Sequence, residues 1–403
     1  MTADPLLRAT GLSVSEFAAS HWGSVPLLRR HSELPGEGFA DLLTLAAVDE
    51  LLSRRGLRTP FVRMTRDGNV LPPRRFTRGG GAGADIADQV ADDLVLSEFA
   101  AGATLVLQGL HRLWPPVQEF AVALSSQLGH PVQINAYITP PQNTGFAAHY
   151  DVHDVFVLQF AGTKRWRIHQ PVWPAPLRDQ PWDMHKTAVA ARAAEIPLLE
   201  SVLECGDALY LPRGYIHAAS SLGEVSGHLT VGVHAVTRHT LATQVFAALS
   251  DDVELRRSLP VGVDLSDADV LSEELEATVA ALRSAIDRLD RGAVARGVGK
   301  HLAETTRPAP LRPLEQLSAA ATLSPKTQLR LRPGLRLTLR PDGEQLAIEL
   351  ADKDVRVPAA AAEAARAATS GIAVTAESLP GIDVAAALTM LRQLLRDGIL
   401  VPV

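Results

Sequence analysis

Val132-Gln133-Ile134-Asn135-Ala136-Tyr137-Ile138 alternates apolar and polar side chains with period two. On a strand that alternation puts Asn135 and Tyr137 on one face and Ile134, Ala136 and Ile138 on the other. Short strand-like runs follow at Val155–Phe160, Lys164–His169, Ala208–Leu211 and His228–Ala235. Turn signals separate them, among them Ala161-Gly162-Thr163, Cys205-Gly206-Asp207 and Pro212-Arg213-Gly214. The pattern predicts an all-β barrel or sandwich in the middle of the chain, without alternating βαβ units.

Helical periodicity flanks this region. Leu42, Leu45, Val48, Leu51 and Leu52 predict a helix over Asp41–Arg54. Pro115 and Pro116 open a second, running to Leu128 and stopped by Gly129. The glycine-rich stretch 77–85 lacks the Gly-Lys-Ser/Thr of a phosphate loop and reads as a surface loop. Beyond residue 240, Leu271, Leu275, Val279, Leu282, Ile286 and Leu289 form a long helical seam that must pack on something. Prolines between Thr305 and Pro313 read as a linker. The last 90 or so residues predict a small α+β unit with a hairpin around Pro333-Gly334, helices near 358–369 and 384–396, and a terminal strand at Ile399–Val403.

At 403 residues the chain is long enough for two or three domains, each able to bury a core without covalent staples. A formal charge of -6 argues against a generally nucleic-acid-binding surface. One cysteine, Cys205, excludes internal disulfides and thiolate-rich metal sites. No secretory signal or membrane-length apolar run is apparent, so the expected location is cytoplasmic.

The chemistry sits at His149-Tyr150-Asp151. Residues two apart on a strand project to the same side, about 6–7 Å apart, so an imidazole and a carboxylate can converge on one ion. An isolated His-x-Asp also arises by chance, and two ligands do not complete an open site. His217, following Pro212-Arg213-Gly214-Tyr215-Ile216, is the candidate third. Two histidines and a carboxylate form the facial triad of non-haem iron(II) oxygenases. Asn135, Tyr137, Lys164 and Thr230 fall on candidate strands around it. So polar an interior implies a ligand or water to satisfy it.

Together, Asn135-Ala136-Tyr137, His149-Tyr150-Asp151-Val152-His153-Asp154, Gln159 to Trp166 and Gly206 to His217 resemble the JmjC-type ribosomal oxygenases, cupin-like Fe(II)/2-oxoglutarate-dependent protein hydroxylases. The resemblance lies mainly in residues 132–234. It implies an α+β chain built on a double-stranded β-helix (jelly-roll) core, a helical dimerisation region and a C-terminal winged-helix-like domain. The corresponding expected divisions are 1–238 (core about 95–238), 239–306 and 310–403. It makes His149, Asp151 and His217 the iron ligands and Lys164 the partner of the distal carboxylate of 2-oxoglutarate. Asn135, Tyr137 and Thr230 become cosubstrate-side positions, and O2 the co-oxidant.

The implied activity is hydroxylation of a protein side chain, histidine or arginine of a ribosomal protein, by a homodimer. A biosynthetic peptide or small molecule is an alternative substrate. A non-enzymatic metal-binding cupin is the other reading, but it has no need of Lys164. Trp166 reads as core packing, and His153, His228 and His234 as pocket-lining or bracing groups. Pro310–Val403 carries 11 Lys/Arg against 10 Asp/Glu, which suits protein packing better than duplex binding.

Overall fold

A computed structural model describes residues 4–66, 68–83, 85–141 and 147–403, and the chain forms two compact units, Met1–Ala235 and Val236–Val403. In the first unit the strands are β1 (Leu27–Arg29), β2 (Val62–Arg66), β3 (Thr104–Leu107), β4 (Val132–Thr139) and β5 (Asp154–Ala161). They continue as β6 (Lys164–His169), β7 (Leu199–Leu203), β8 (Ala208–Leu211), β9 (Ile216–Ser221) and β10 (Ser226–Val233). The larger sheet has the order β1-β8-β5-β10-β4-β3-β2, with the two-residue strand Asn69–Val70 at its far edge. The smaller is β7-β6-β9. These pairings are antiparallel. Val155, Val157, Leu209 and Leu211 from the large sheet meet Trp166, Ile168 and Leu203 from the small one, giving the double-stranded β-helix of a JmjC/cupin-like fold within an α+β chain.

The period-two pattern of β4 sorts as its sequence demands. Ile134, Ala136 and Ile138 are buried on the outer side of the large sheet. There they share a core with Phe17, Leu51 and Val95, and with Phe120 and Leu124 of the helix Pro115–Leu128. Asn135 and Tyr137 therefore face between the sheets. The β5–β6 turn passes through Gly162 at φ +56°, where an added Cβ would lie 2.2 Å from the Val225 carbonyl oxygen. Only glycine fits that turn.

Several elements depart from expectation. The helix over 41–54 begins at Leu45, because Thr44 caps it by accepting from the Ala47 N–H. Strands β1, β2, β3, β7 and β9 lack a clear sequence signal. Within the glycine-rich stretch Thr77–Arg78 pairs with Gln89–Val90; residue 84 lies outside the described residues.

The second unit begins with helices Arg238–Ala248, Ala268–Asp287 and Arg291–Thr305. On the seam of Ala268–Asp287, Leu271, Leu275 and Ile286 are 43%, 57% and 49% exposed. The hairpin expected at Pro333-Gly334 does not form. Leu329–Leu331 pairs with Leu400–Pro402 instead, and the hairpin joins Thr338–Asp342 to Gln345–Glu349 through Gly343 at φ +62°. Alternating Leu/Arg on both sides of Pro333 misdirected that expectation, since both segments are strands with other partners. Asp354–Pro358 completes a three-stranded sheet, and helices Pro313–Ala321, Ala362–Ala368 and Val384–Arg396 supply the rest of a core that includes Leu391, Leu394 and Ile348. Among the described residues, no helix is long and apolar enough to cross a membrane.

Candidate metal centre

Backbone pairing brings the third ligand to the first two. His149 and His217 form an antiparallel bridge, the His217 N–H donating to the His149 carbonyl at 2.8 Å and the His149 N–H to the His217 carbonyl at 3.2 Å. Residues directly opposite in such a pair project their side chains to one side. The two rings accordingly lie with centroids 4.5 Å apart. Asp151 follows two residues after His149, and its carbonyl accepts from the Gly214 N–H at 3.0 Å, tying it to the turn that leads into β9. One ligand atom from each of His149, Asp151 and His217 lies within 4.8 Å of the others, with His217 Nε2 3.6 Å from Asp151 Oδ2.

The imidazoles are oriented by the backbone. His149 Nδ1 sits 2.8 Å from the Ala147 carbonyl and His217 Nδ1 3.1 Å from that of Tyr215. A carbonyl only accepts, so each Nδ1 carries a proton, and in the neutral ring Nε2 is the nitrogen with a free lone pair. Burial and the adjacent His149 hold the His217 imidazolium below the ordinary histidine range, so the ring is neutral at pH 7. Burial pushes the Asp151 carboxyl up, but His153, His217 and His149 outweigh it and keep it low. Two imidazole nitrogens and one carboxylate oxygen converge.

Behind them Asp154 is fully buried and holds the Pro212–Gly214 turn. Its Oδ1 accepts from the Tyr210 hydroxyl at 2.9 Å and the Arg213 N–H at 3.3 Å, and the Arg213 guanidinium lies 3.5 Å from Oδ2. Burial raises this carboxyl above its ordinary value, against the pull of Arg213 and Tyr210.

Inward from the triad is a cavity of about 90 Å³ lined by residues of both sheets. At about 15 Å³ per water it has room for roughly six waters, or a small organic acid. Asn135, Tyr137 and Thr139 line it from β4, His228 and Thr230 from β10, and Lys164 and Trp166 from β6. Thr230 lies opposite Asn135, and Tyr137 opposite His228, the latter two rings stacked at 5.2 Å. Lys164, 2% exposed, donates to Thr139 Oγ1 at 2.9 Å and lies 3.4 Å from His228 Nδ1. Among the described residues no carboxylate approaches its ammonium within 4.0 Å, and desolvation pushes its pKa down to about 7.

Residues 113–241 match the JmjC domain. Ribosomal oxygenase 1 of Gallus gallus is 33% identical over 266 residues, covering 63% of this chain and 42% of that protein. The bifunctional lysine-specific demethylase and histidyl-hydroxylase NO66 of Aedes aegypti is 28% identical over 269 residues, 62% of this chain and 38% of that protein. The chain carries a JmjC domain and is similar, over about three fifths of its length, to ribosomal oxygenases.

It spans less than half the length of these curated relatives. The solved Escherichia coli ribosomal oxygenase YcfD shares the fold, with a TM-score of 0.54 at 18% identity over 97% of this chain and 98% of that one. Another YcfD structure, in complex with cobalt and 2-oxoglutarate, gives a TM-score of 0.53 at 17% identity over 98% of this chain and 99% of that one.

The donor set fits a JmjC iron site: nitrogen, nitrogen and carboxylate oxygen, with the imidazoles presenting Nε2. A buried lysine with no counter-ion among the described residues fits a cosubstrate that brings its own carboxylate. All seven residues singled out from the sequence (His149, Asp151, His217, Lys164, Asn135, Tyr137 and Thr230) line this one cavity. Trp166, expected to be core, lines it too while packing between the sheets, as do His153 and His228. His234 stands behind His153, ring centroids 5.1 Å apart.

Thr104, Thr139 and Arg63 carry no sequence expectation. Thr139 extends the parity of Asn135 and Tyr137 by one step, so the signal was present. Thr104 and Arg63 belong to β3 and β2, whose short apolar runs give no facing. Arg63 hydrogen-bonds the Tyr137 hydroxyl, whose pKa burial and Asp151 push up to about 12.

Proposed function

We propose that this chain is an Fe(II)- and 2-oxoglutarate-dependent oxygenase that hydroxylates a histidine or arginine side chain of a ribosomal protein. The observation that carries the reading is the pairing of a His149/Asp151/His217 triad with a buried Lys164 in one cavity. The substrate class is supported by the names of the relatives, Ribosomal oxygenase 1 and a histidyl-hydroxylase.

His149, Asp151 and His217 would hold the iron, and Lys164 with Thr139 would pair with the distal carboxylate of the cosubstrate. When bound, iron and 2-oxoglutarate supply the oxidising chemistry, consuming O2 and yielding succinate and carbon dioxide. The protein's part is positional. The backbone bridge fixes the two imidazoles and Asp154 holds the turn behind them. The apolar packing of Val155, Val157 and Trp166 limits water around the reacting atoms. Tyr137, Asn135 and Thr230 offer polar atoms along the cosubstrate path.

In the second unit, residues 239–306 are read as a dimerisation region of a homodimer, consistent with the exposed leucines of Ala268–Asp287. Residues 310–403 are read as winged-helix-like, with near-balanced charge suited to protein packing. A cytoplasmic location accompanies this reading.

The test is spectroscopic and then chemical. Anaerobic wild-type protein with Fe(II) and 2-oxoglutarate should show a weak visible metal-to-ligand charge-transfer band that His149→Ala abolishes. No band, together with no succinate released with any ribosomal protein, rules the oxygenase out. Ribosomal proteins from cells with and without the gene should differ by one oxygen atom in intact mass. No difference moves the substrate to a biosynthetic peptide or small molecule.

A further inference from the structure

On the outer side of the large sheet, a second cavity of about 610 Å³ opens between the helices Leu45–Arg54 and Asp92–Ala100. That is the size of a ligand pocket, typically about 300–1,000 Å³. Its floor is Leu105 and Ile138, directly paired on β3 and β4. Its walls are apolar and partly open to solvent, with Leu96 68% and Leu45 38% exposed. The charged groups of its lining are Asp49, Asp92 and Asp93, with no lysine or arginine among the lining residues.

Asp93 is paired with Arg78 at 2.6 Å, but among the described residues neither Asp49 nor Asp92 has a cation within 4.0 Å. Asp92 and Asp93 stand in the first turn of their helix, where the dipole favours carboxylates. Asp49 is mid-helix, where it does not. An open apolar trough rimmed by carboxylates of one sign is complementary to a chain that is apolar along one side and cationic along the other.

We propose that this groove docks a lysine- or arginine-rich amphipathic segment of the protein substrate, away from the catalytic cavity. The identity of the occupant rests on the protein-hydroxylase reading above; the groove's preference for cationic amphipathic chains does not. Leu105 and Ile138 form the floor, while their neighbours Thr104 and Thr139 line the catalytic cavity on the opposite side of the same strands. Docking and catalysis thus use the two faces of one sheet. A segment held there raises the local concentration of the rest of the substrate at the cavity mouth without touching the reacting atoms.

The probe is a fluorescein-labelled Leu/Lys amphipathic helix, with a Leu/Glu peptide of the same pattern as its control. Binding is read by anisotropy on the full-length chain in the presence of a chelator, so the result is independent of iron and turnover. The Leu/Lys peptide should bind and the Leu/Glu peptide should not. Asp49→Lys combined with Asp92→Asn, and separately Leu96→Glu, should each weaken binding roughly tenfold while circular dichroism stays unchanged and Tm falls by no more than roughly 4 °C. All three positions are exposed, so the variants should fold.

Equal binding of both peptides, or wild-type affinity in the variants, overturns the proposal. If light scattering shows self-association that Leu96→Glu disrupts, a second copy fills the groove and the proposal also falls. The charge-transfer band decides the oxygenase reading separately, so either can fail alone.

Discussion

Replacing Lys164 with methionine should make the ligand-free protein more stable and abolish its response to 2-oxoglutarate. The Lys164 side chain is 2% exposed, lies within hydrogen-bond distance of Thr139 and His228, and its pKa falls from 10.5 to about 7 by desolvation. At about 1.4 kcal/mol per pH unit that gap corresponds to about 5 kcal/mol held against folding. The sign follows from the direction of the shift: the folded state prefers the neutral amine. The cost is therefore absent above pH 10.5, grows as pH falls, and is complete below about 7.

Local relaxation and loss of the bond to Thr139 reduce the gain, so roughly 1–3 kcal/mol should appear at neutral pH. For a unit of this size that is a Tm rise of roughly 2–10 °C. With a redox-inert divalent metal and 2-oxoglutarate at about 100 times its Kd, wild type should gain about 2.7 kcal/mol and Lys164→Met nothing. Calorimetry from pH 6 to 10 reads both. A variant less stable than wild type at pH 6, or one still stabilised by 2-oxoglutarate, refutes the carboxylate-receptor role of Lys164.

Two further substitutions probe the frame around the ligands. Asp154→Ala strands the Tyr210 hydroxyl and Arg213 in the interior and should cost about 3–5 kcal/mol in urea unfolding, with weaker iron binding, since the freed turn leads to His217. Asp154→Asn should cost less, and parity of Ala with wild type would contradict the bracing role. Gly162→Ala combines a left-handed backbone with a Cβ 2.2 Å from the Val225 carbonyl oxygen and should cost at least about 3 kcal/mol, seen as a lower urea midpoint.

Strand parity made much of the site legible. Parity put Asn135 and Tyr137 on one face, with Thr139 one step further along it, whereas the roles of Lys164 and Thr230 came from the family resemblance. His217 could not be brought to His149 by local pattern, because their pairing spans 68 residues and is a property of the closed fold. The same limit hid β1, β7 and β9, whose partners lie far along the chain, and misdirected the hairpin at Pro333. There, turn chemistry was locally persuasive, but Leu329–Leu331 found a better partner at the C-terminus. The Asp49 groove had no sequence signal, since its lining residues come from two helices, two strands and a loop.

The His149–His217 bridge also separates two engineering problems. The register of a hydrogen-bonded pair, not the path of the chain, sets where the third ligand stands. Residues 170–198, between β6 and β7, can then change in length without re-indexing the ligands, provided the pairing of β9 with β6 survives and Gln180 and Val189 still pack Tyr150 and Ile216. A slip of one residue, by contrast, would present Ile216 or Ala218 in place of His217 and lose the site outright. Loop length is editable; the register is not.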